Sequence, residues 1–480
     1  MPDITTLLPH ALLTLLYAAM LLYITPRLSL FRDSGLSPVI IRGVLGVKMV
    51  AALIYGTVYL FYYDGGDTWS YWLCGRMIHD TIYINPLYFL EIEFGPNARI
   101  PPDYLCDIIE PIMYWSDWRT FTVLRVNALL HFLSFGYYGV HAVFFAFFSM
   151  TGLICIYRLM AFQDNYAVGA DNNTQSLLPD RELEIKDDRN VFKNINLLWG
   201  RMNFRQQGAF CAVFGLPSVI FWASGVHKEA LGILSIGFST FFILNILNKK
   251  QIVRSVFYLS LCCGFLLMLR PYIVLLLIPA SIAWGIARRN PLRTAYIFGA
   301  VYLCGFLATI AVAQIHPSLN IFTKLSEIQY YFIAYIEGGT DIPVTRLLPH
   351  WGSLLMALPR ALYNVVLLPA FYLGWSNLMV RLPAAIETLF FMLVIAVSLY
   401  KNYGKKVALS DRPFWYFCLF FSVSYFMLIG LITDNLGAIV RYRTTALPFW
   451  LWFWVLPWVD GKLRNGNKIK LEFARDEFSA

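Results

Sequence analysis

Residues 39–72 read VIIRGVLGVKMVAALIYGTVYLFYYDGGDTWSYW. A helix needs roughly 20 mostly apolar residues to cross a bilayer, and the stretch from Val39 to Phe61 supplies them. It ends at Tyr62-Tyr63, and there two carboxylates, Asp64 and Asp67, bracket the pair Gly65-Gly66. The run selects lipid rather than water as its surroundings, and the polar turn after it marks a membrane face. The fold class expected is all-α: a polytopic transmembrane helix bundle carrying juxtamembrane or amphipathic helices outside the bilayer.

Composition extends that reading to the whole chain. Of 480 residues, 58% are hydrophobic, 17% aromatic and only 14% charged, with a mean hydropathy of +0.59. Soluble proteins average about 45–50% apolar and about 25% charged. The excess implies one integral membrane domain over 1–480 rather than a string of soluble ones. The net charge of +9 does not point to nucleic acid, because Lys and Arg gather in short loops between apolar runs. Residues 11–25 lack a basic leader and a small-residue cleavage site, so they read as a first span rather than a signal peptide.

Apolar runs near 8–25, 39–61, 138–160, 207–223, 229–247, 254–269, 272–287, 295–314, 382–400, 413–432 and 445–459 give about eleven spanning helices. Basic loops orient them. Arg27, Arg32 and Arg42 flank one connection, and Lys249, Lys250 and Arg254 another. Arg288, Arg289 and Arg293 fill a third, and Lys401, Lys405, Lys406 and Arg412 a fourth. The tail 461–480 holds Lys462, Arg464, Lys468 and Lys470. Placing all of these in the cytoplasm gives an outside N-terminus, an inside C-terminus and strict alternation.

Loop 163–205 then falls in the cytoplasm, mixed in charge and loosely packed. Loops 62–137 and 315–375 fall outside. The segment Phe121–Phe135, apolar with Arg125, Asn127 and His131 interspersed, reads as an interfacial amphipathic helix. Cys74 and Cys106 share the first outer loop, which leaves a disulfide and two thiols equally open. The other cysteines (Cys155, Cys211, Cys262, Cys263, Cys304, Cys418) lie in apolar runs as small core residues.

On this topology four polar breaks lie on the outer face. They are Asp64 and Asp67, the hairpin with His227, Lys228 and Glu229, the interruption Arg270-Pro271-Tyr272, and the segment Asp434-Asn435 to Arg441-Tyr442-Arg443. Each has a plain reading. Asp64 can solvate a helix end, the hairpin charges can face water, and Glu229 can complement a helix dipole. Arg270 can snorkel, and Arg441 and Arg443 can anchor at headgroup level. Together they read differently, because ionisable groups at membrane depth usually line a functional cavity. Lys228, Arg270, Arg441 and Arg443 suit a phosphate or diphosphate. A carboxylate beside them suits a general base on a hydroxyl, with Asp67 the stronger candidate and Asp64 the weaker. His227, Glu229 and Tyr272 complete the candidate substrate-binding set.

In these features the chain resembles the GT-C superfamily of polytopic glycosyltransferases and their polysaccharide-assembly relatives. Asp64-Gly65-Gly66-Asp67 stands where that family carries its acidic motif, although here it follows the second helix rather than the first. The stretch from Phe221 to Glu229 and the segment Val440-Arg441-Tyr442-Arg443 are similar to stretches of bacterial membrane proteins assigned to that group. The resemblance implies transfer of a sugar from a polyprenyl-phosphate or diphosphate donor at the extracytoplasmic face of a bacterial inner membrane. It implies a lipid-linked sugar donor and membrane lipids as partners, and no nucleic acid.

Other classes stay open beside it. One is a transporter or flippase of a lipid-linked or anionic substrate. Another is a lipid-sugar or phosphate-transferring enzyme, such as an O-antigen ligase or an acyl or phosphoethanolamine transferase, and a structural membrane subunit is the last. The seven histidines are scattered in sequence and show no metal-ligand spacing, so a divalent cation is not indicated. There is no Walker loop and no dinucleotide fingerprint. Polar residues stop in the outer third of the spans, which favours an enzyme over a transporter.

Overall fold

The computed structural model describes residues 4–97, 102–162, 199–316, 319–335, 340–372, 378–403, 409 and 411–461. Most of loop 163–205 and nearly all of the tail 461–480 lie outside the described residues. The described chain is helical, its one β-bridge joining Asp341 and Asn435. Eight helices among the described residues are long and apolar enough to cross a membrane. The remaining apolar runs form shorter pieces. Residues 207–223 break at Gly215-Leu216-Pro217, because proline offers no amide to continue the ladder. Pro271–Ala287 is a shorter apolar helix, and the last run forms a helix over 447–461.

The chain divides into two compact units, Met1–Ile156 with Val219–Val274, and Tyr157–Ser218 with Leu275–Ala480. The first holds α1 (Ile4–Ile24), α2 (Pro38–Tyr62), α3 (Gly66–Asp80), α4 (Pro86–Phe94), α5 (Trp118–Ser134) and most of α6 (Tyr138–Phe162). It also holds the end of a helix broken into α7 (Phe204–Phe214) and α8 (Pro217–Trp222), then α9 (Lys228–Leu247) and α10 (Ile252–Leu269). Helices α6 and α9 cross so closely that a Cβ on Gly152 would lie 2.2 Å from the Ile233 carbonyl oxygen. Small residues at such a crossing let backbones approach where apolar surface alone gives no driving force.

The outer segment 62–137 is built rather than loose. Ser37 caps α2, and the helix ends where Asp64, Gly65 and Gly66 take φ of 49°, 97° and 53°. Only glycine adopts such angles without penalty. The Gly65 amide reaches back to the Tyr59 carbonyl (2.8 Å), and the chain turns straight into α3. Helix α5, capped by Asp117, packs against α3, with Gly75 seated on Asn127.

The interfacial helix expected at 121–135 is therefore a packed one. Its polar residues point into protein instead of headgroups. His131 bonds the Trp72 carbonyl (3.0 Å), Asn127 bonds His141 (2.8 Å), and Arg125 grips the carbonyl oxygens of Ile92 and Gly95 (3.0 and 2.5 Å). Histidines scattered in sequence also meet here. The rings of His79 and His131 lie 5.8 Å apart and those of His131 and His141 4.5 Å. Burial pushes the His131 imidazole down to about 4, so it serves as a neutral cross-link. Cys74 and Cys106 form no disulfide.

The second unit contains most of α11 (Pro271–Ala287), α12 (Thr294–Ile315), α13 (Ile321–Tyr335), α14 (Trp351–Val366), α15 (Leu378–Asn402), α16 (Arg412–Ile432), α17 (Leu436–Arg443) and α18 (447–461). Helix α16 is its axis. Gly430 meets the backbone of Ala361 on α14, and Phe414 and Phe417 pack on Trp284 of α11.

Candidate functional site

Three of the longer helices of the first unit begin with an acid: Asp67 in the first turn of α3, Asp117 as the cap of α5, and Glu229 in the first turn of α9. A carboxylate at a helix N-terminus is favoured by the dipole. The side chains go further, because each is tied to a neighbouring imidazole, hydroxyl or cation. His227 lies between two of them. Its Nε2 is 3.4 Å from Asp67 Oδ2, and its Nδ1 bonds Glu229 Oε2. Glu229 Oε1 accepts from Arg270 Nη2 at 2.6 Å.

The result is a line of groups running from carboxylate to imidazole to carboxylate to guanidinium. Its exposure is graded. The Asp67 side chain is 40% exposed, His227 2% and Glu229 0%. The buried end is charge-balanced and the outer end meets solvent. Arg270 reaches it because Pro271 starts the next helix and forces the preceding residue into an extended backbone, with φ of −152°.

A second arm runs alongside. Lys228 Nζ donates to Thr120 Oγ1 (2.5 Å), Thr120 donates to Asp117 Oδ2, and Arg119 Nε donates to Asp117 Oδ1 (3.2 Å). Burial alone would raise the Asp117 carboxyl. The Thr120 hydroxyl and the charges of Lys228 and Arg119 outweigh it and hold the group below the usual range. Tyr114 donates to Asp67 Oδ1 (3.4 Å), and burial together with the Asp67 charge lifts its phenol to about 12. The ring of Tyr71 lies beside both His227 and Tyr114.

Five of the residues singled out in the sequence thus come together: Asp67, His227, Lys228, Glu229 and Arg270. Burial removes the solvent-facing reading of the hairpin charges and the snorkelling reading of Arg270, which is 5% exposed. Asp64 is exposed on the turn, outside the line of bonds. Tyr272 is half-buried two residues beyond Arg270.

Arg441 and Arg443 belong to the second unit. Arg441 lies over the Tyr442 ring. Arg443 is 1% exposed and bonds Glu387 Oε2 (3.0 Å), Thr388 Oγ1 (3.2 Å) and the Val365 carbonyl (3.2 Å). Glu387 in turn accepts from the Ser218 amide (3.0 Å).

The sequence reading missed Asp117, Thr120, Glu387 and Lys48, and it took Tyr114 only as an aromatic for sugar stacking or interface anchoring. Asp117 carried a signal, a carboxylate directly ahead of a helical run. Lys48 sits midway along α2, fully buried, with its Nζ 3.5 Å from the Val219 carbonyl oxygen. It corrects the reading that polar residues stop in the outer third. Among the described residues no group of three or more His, Cys, Asp or Glu is placed to hold a metal ion. Comparison with protein-family models, curated proteins and solved structures finds no match to this chain.

Proposed function

We propose that the protein is a membrane glycosyltransferase or polysaccharide polymerase that moves a sugar from a polyprenyl-phosphate or diphosphate donor onto a hydroxyl at the extracytoplasmic face. The observation that carries this reading is Asp67: a half-exposed carboxylate, aimed by His227 and Tyr114, at the outer end of a buried charged line. Such a carboxylate takes the proton of an acceptor hydroxyl as the sugar bond forms. The fixed imidazole behind it stabilises its charge and keeps it in place. Lys228 is the cation best suited to the leaving phosphate, because its partner Thr120 is a neutral hydroxyl. Arg270 is held by a carboxylate and shapes the site from behind.

The reading places the basic loops in the cytoplasm of a bacterial inner membrane, with the N-terminus outside. Single cysteines at positions 95 and 185 test that directly. An impermeant reagent applied to intact cells labels position 95 alone if it holds, and position 185 alone if it is inverted.

Lys48 keeps a second reading in view, because a buried cation midway through a span is what a transporter or flippase places on its path. Proteoliposomes loaded with a radiolabelled polyprenyl-diphosphate sugar separate the two. Release of polyprenyl diphosphate with transfer of label to an added oligosaccharide supports the enzyme. Intact donor appearing in the opposite leaflet supports the flippase.

A further inference from the structure

Far along the chain from the Asp67 line, the second unit encloses a cavity of about 470 Å³ between residues 199–215, α15 and α18. Its walls are mostly hydrocarbon and indole, Trp199, Phe204, Leu393, Trp454 and Trp458 among them, with Gln207 and Ser398 the polar exceptions. The size falls within the ~300–1,000 Å³ of small-ligand sites. It opens outward, since Leu393 is 60% and Phe204 49% exposed.

An apolar void of this size inside a bilayer fills with hydrocarbon, because protein interiors leave few gaps and an apolar gap excludes water. The charge beside it narrows the occupant. The lining helix α15 ends at Lys401-Asn402, and the Lys401 ammonium lies 4.8 Å from the centre of the Trp458 ring. A lysine beside a tryptophan at the mouth of an apolar groove is the arrangement that attracts anionic headgroups.

We propose that this groove seats one acyl chain of an anionic membrane phospholipid whose phosphate rests on Lys401. The site is independent of the sugar-transfer reading, and it binds a structural or regulatory lipid rather than a substrate. Lys401 supplies the charge preference and the cavity supplies the chain affinity, so the two separate by mutation.

Native mass spectrometry of the full chain in detergent tests this, with phosphatidylglycerol or phosphatidylcholine added. The wild type should retain one phosphatidylglycerol about five-fold more strongly than phosphatidylcholine, the effect of a single cation near a headgroup. Lys401→Glu should remove the preference while both lipids still bind. Val455→Trp fills the cavity and should remove binding of both. Lys401 is exposed, so its variant keeps the test decisive should the tryptophan variant fail to fold. Equal retention of the two lipids by wild type, or a preference that survives Lys401→Glu, overturns the proposal. So does lipid binding that appears only after residues 462–480 are removed, which would make the chain's own tail the occupant.

Discussion

Two carboxylate–guanidinium pairs are buried among the described residues, and they end differently. Glu387 and Arg443 are closed in on themselves: their side chains are 2% and 1% exposed, and their remaining bonds go to Val365, Thr388 and the Ser218 amide. Glu229 and Arg270 are as deeply buried, but Glu229 hands its second oxygen to His227, and His227 faces the half-exposed Asp67. A pair whose bonds end on backbone fixes a helix in place. A pair whose bonds lead outward to a solvent-accessible carboxylate sets the position and charge of that carboxylate. The same chemistry therefore closes on itself in one unit and leads to a solvent-accessible carboxylate in the other.

The strongest way to break that contrast is Asp67→Asn, which keeps the shape and removes the basicity. Transfer should fall by about 10²–10⁴, the range of a lost general base. Stability should stay within about 0.5 kcal/mol, as for a half-exposed residue. Full turnover in this variant, measured with labelled donor in proteoliposomes, removes Asp67 from the chemistry.

Arg443→Ala should do the reverse. It strands Glu387 in an apolar interior, and stranding one member of a buried pair costs about 3–5 kcal/mol. Equilibrium unfolding in detergent reads that loss. Replacing both partners with Leu and Met should recover most of it, because the pair's attraction is largely offset by its own desolvation. If Arg443→Ala instead unfolds like wild type and fails to bind donor, Arg443 belongs to the site and the contrast collapses.

Glu93 sharpens the comparison as a third buried glutamate. It is 3% exposed, and its Oε2 has no hydrogen-bond partner among the described residues. Burial lifts its carboxyl to about 8, with Arg125 offsetting part of the rise. The native state then holds a proton that the unfolded chain, titrating near 4.3, has released. Its contribution is a stability that falls as pH rises from about 4.3 to about 8. Glu93→Gln should flatten that slope in thermal melts taken across the window. An unchanged slope assigns the pH response to other groups.

Much of this arrangement was legible in the sequence, for a physical reason. Spanning helices announce themselves by a length of apolar chain, and polar residues that interrupt such runs are costly enough to mean something. Asp67, His227, Lys228, Glu229 and Arg270 were visible in that way. What bonds to what was not, because the ends of α3, α9 and α10 meet only through packing. Lys48 and Glu387 passed unread because one charge in a long apolar helix barely lowers its hydropathy. Asn127 and His131 were read as facing headgroups because the pattern of α5 fits lipid or protein equally, and only α3 and α6 decide.

The smallest effect is also the sharpest control, because it concerns the other carboxylate of the same turn. Asp64 and Asp67 are three residues apart, yet Asp64 is exposed with φ of 49° while Asp67 begins a helix and bonds His227. Asn occupies the left-handed region at least as readily as Asp. Asp64→Asn should therefore leave both transfer and stability unchanged, within about 0.5 kcal/mol. Asp64→Ala places an ordinary side chain in that conformation and should cost about 1 kcal/mol in unfolding with no change in turnover. Asp64→Gly should recover the loss. A turnover defect in Asp64→Asn as large as that in Asp67→Asn would show that the turn acts as one acidic unit, and that the imidazole contact does not single out Asp67.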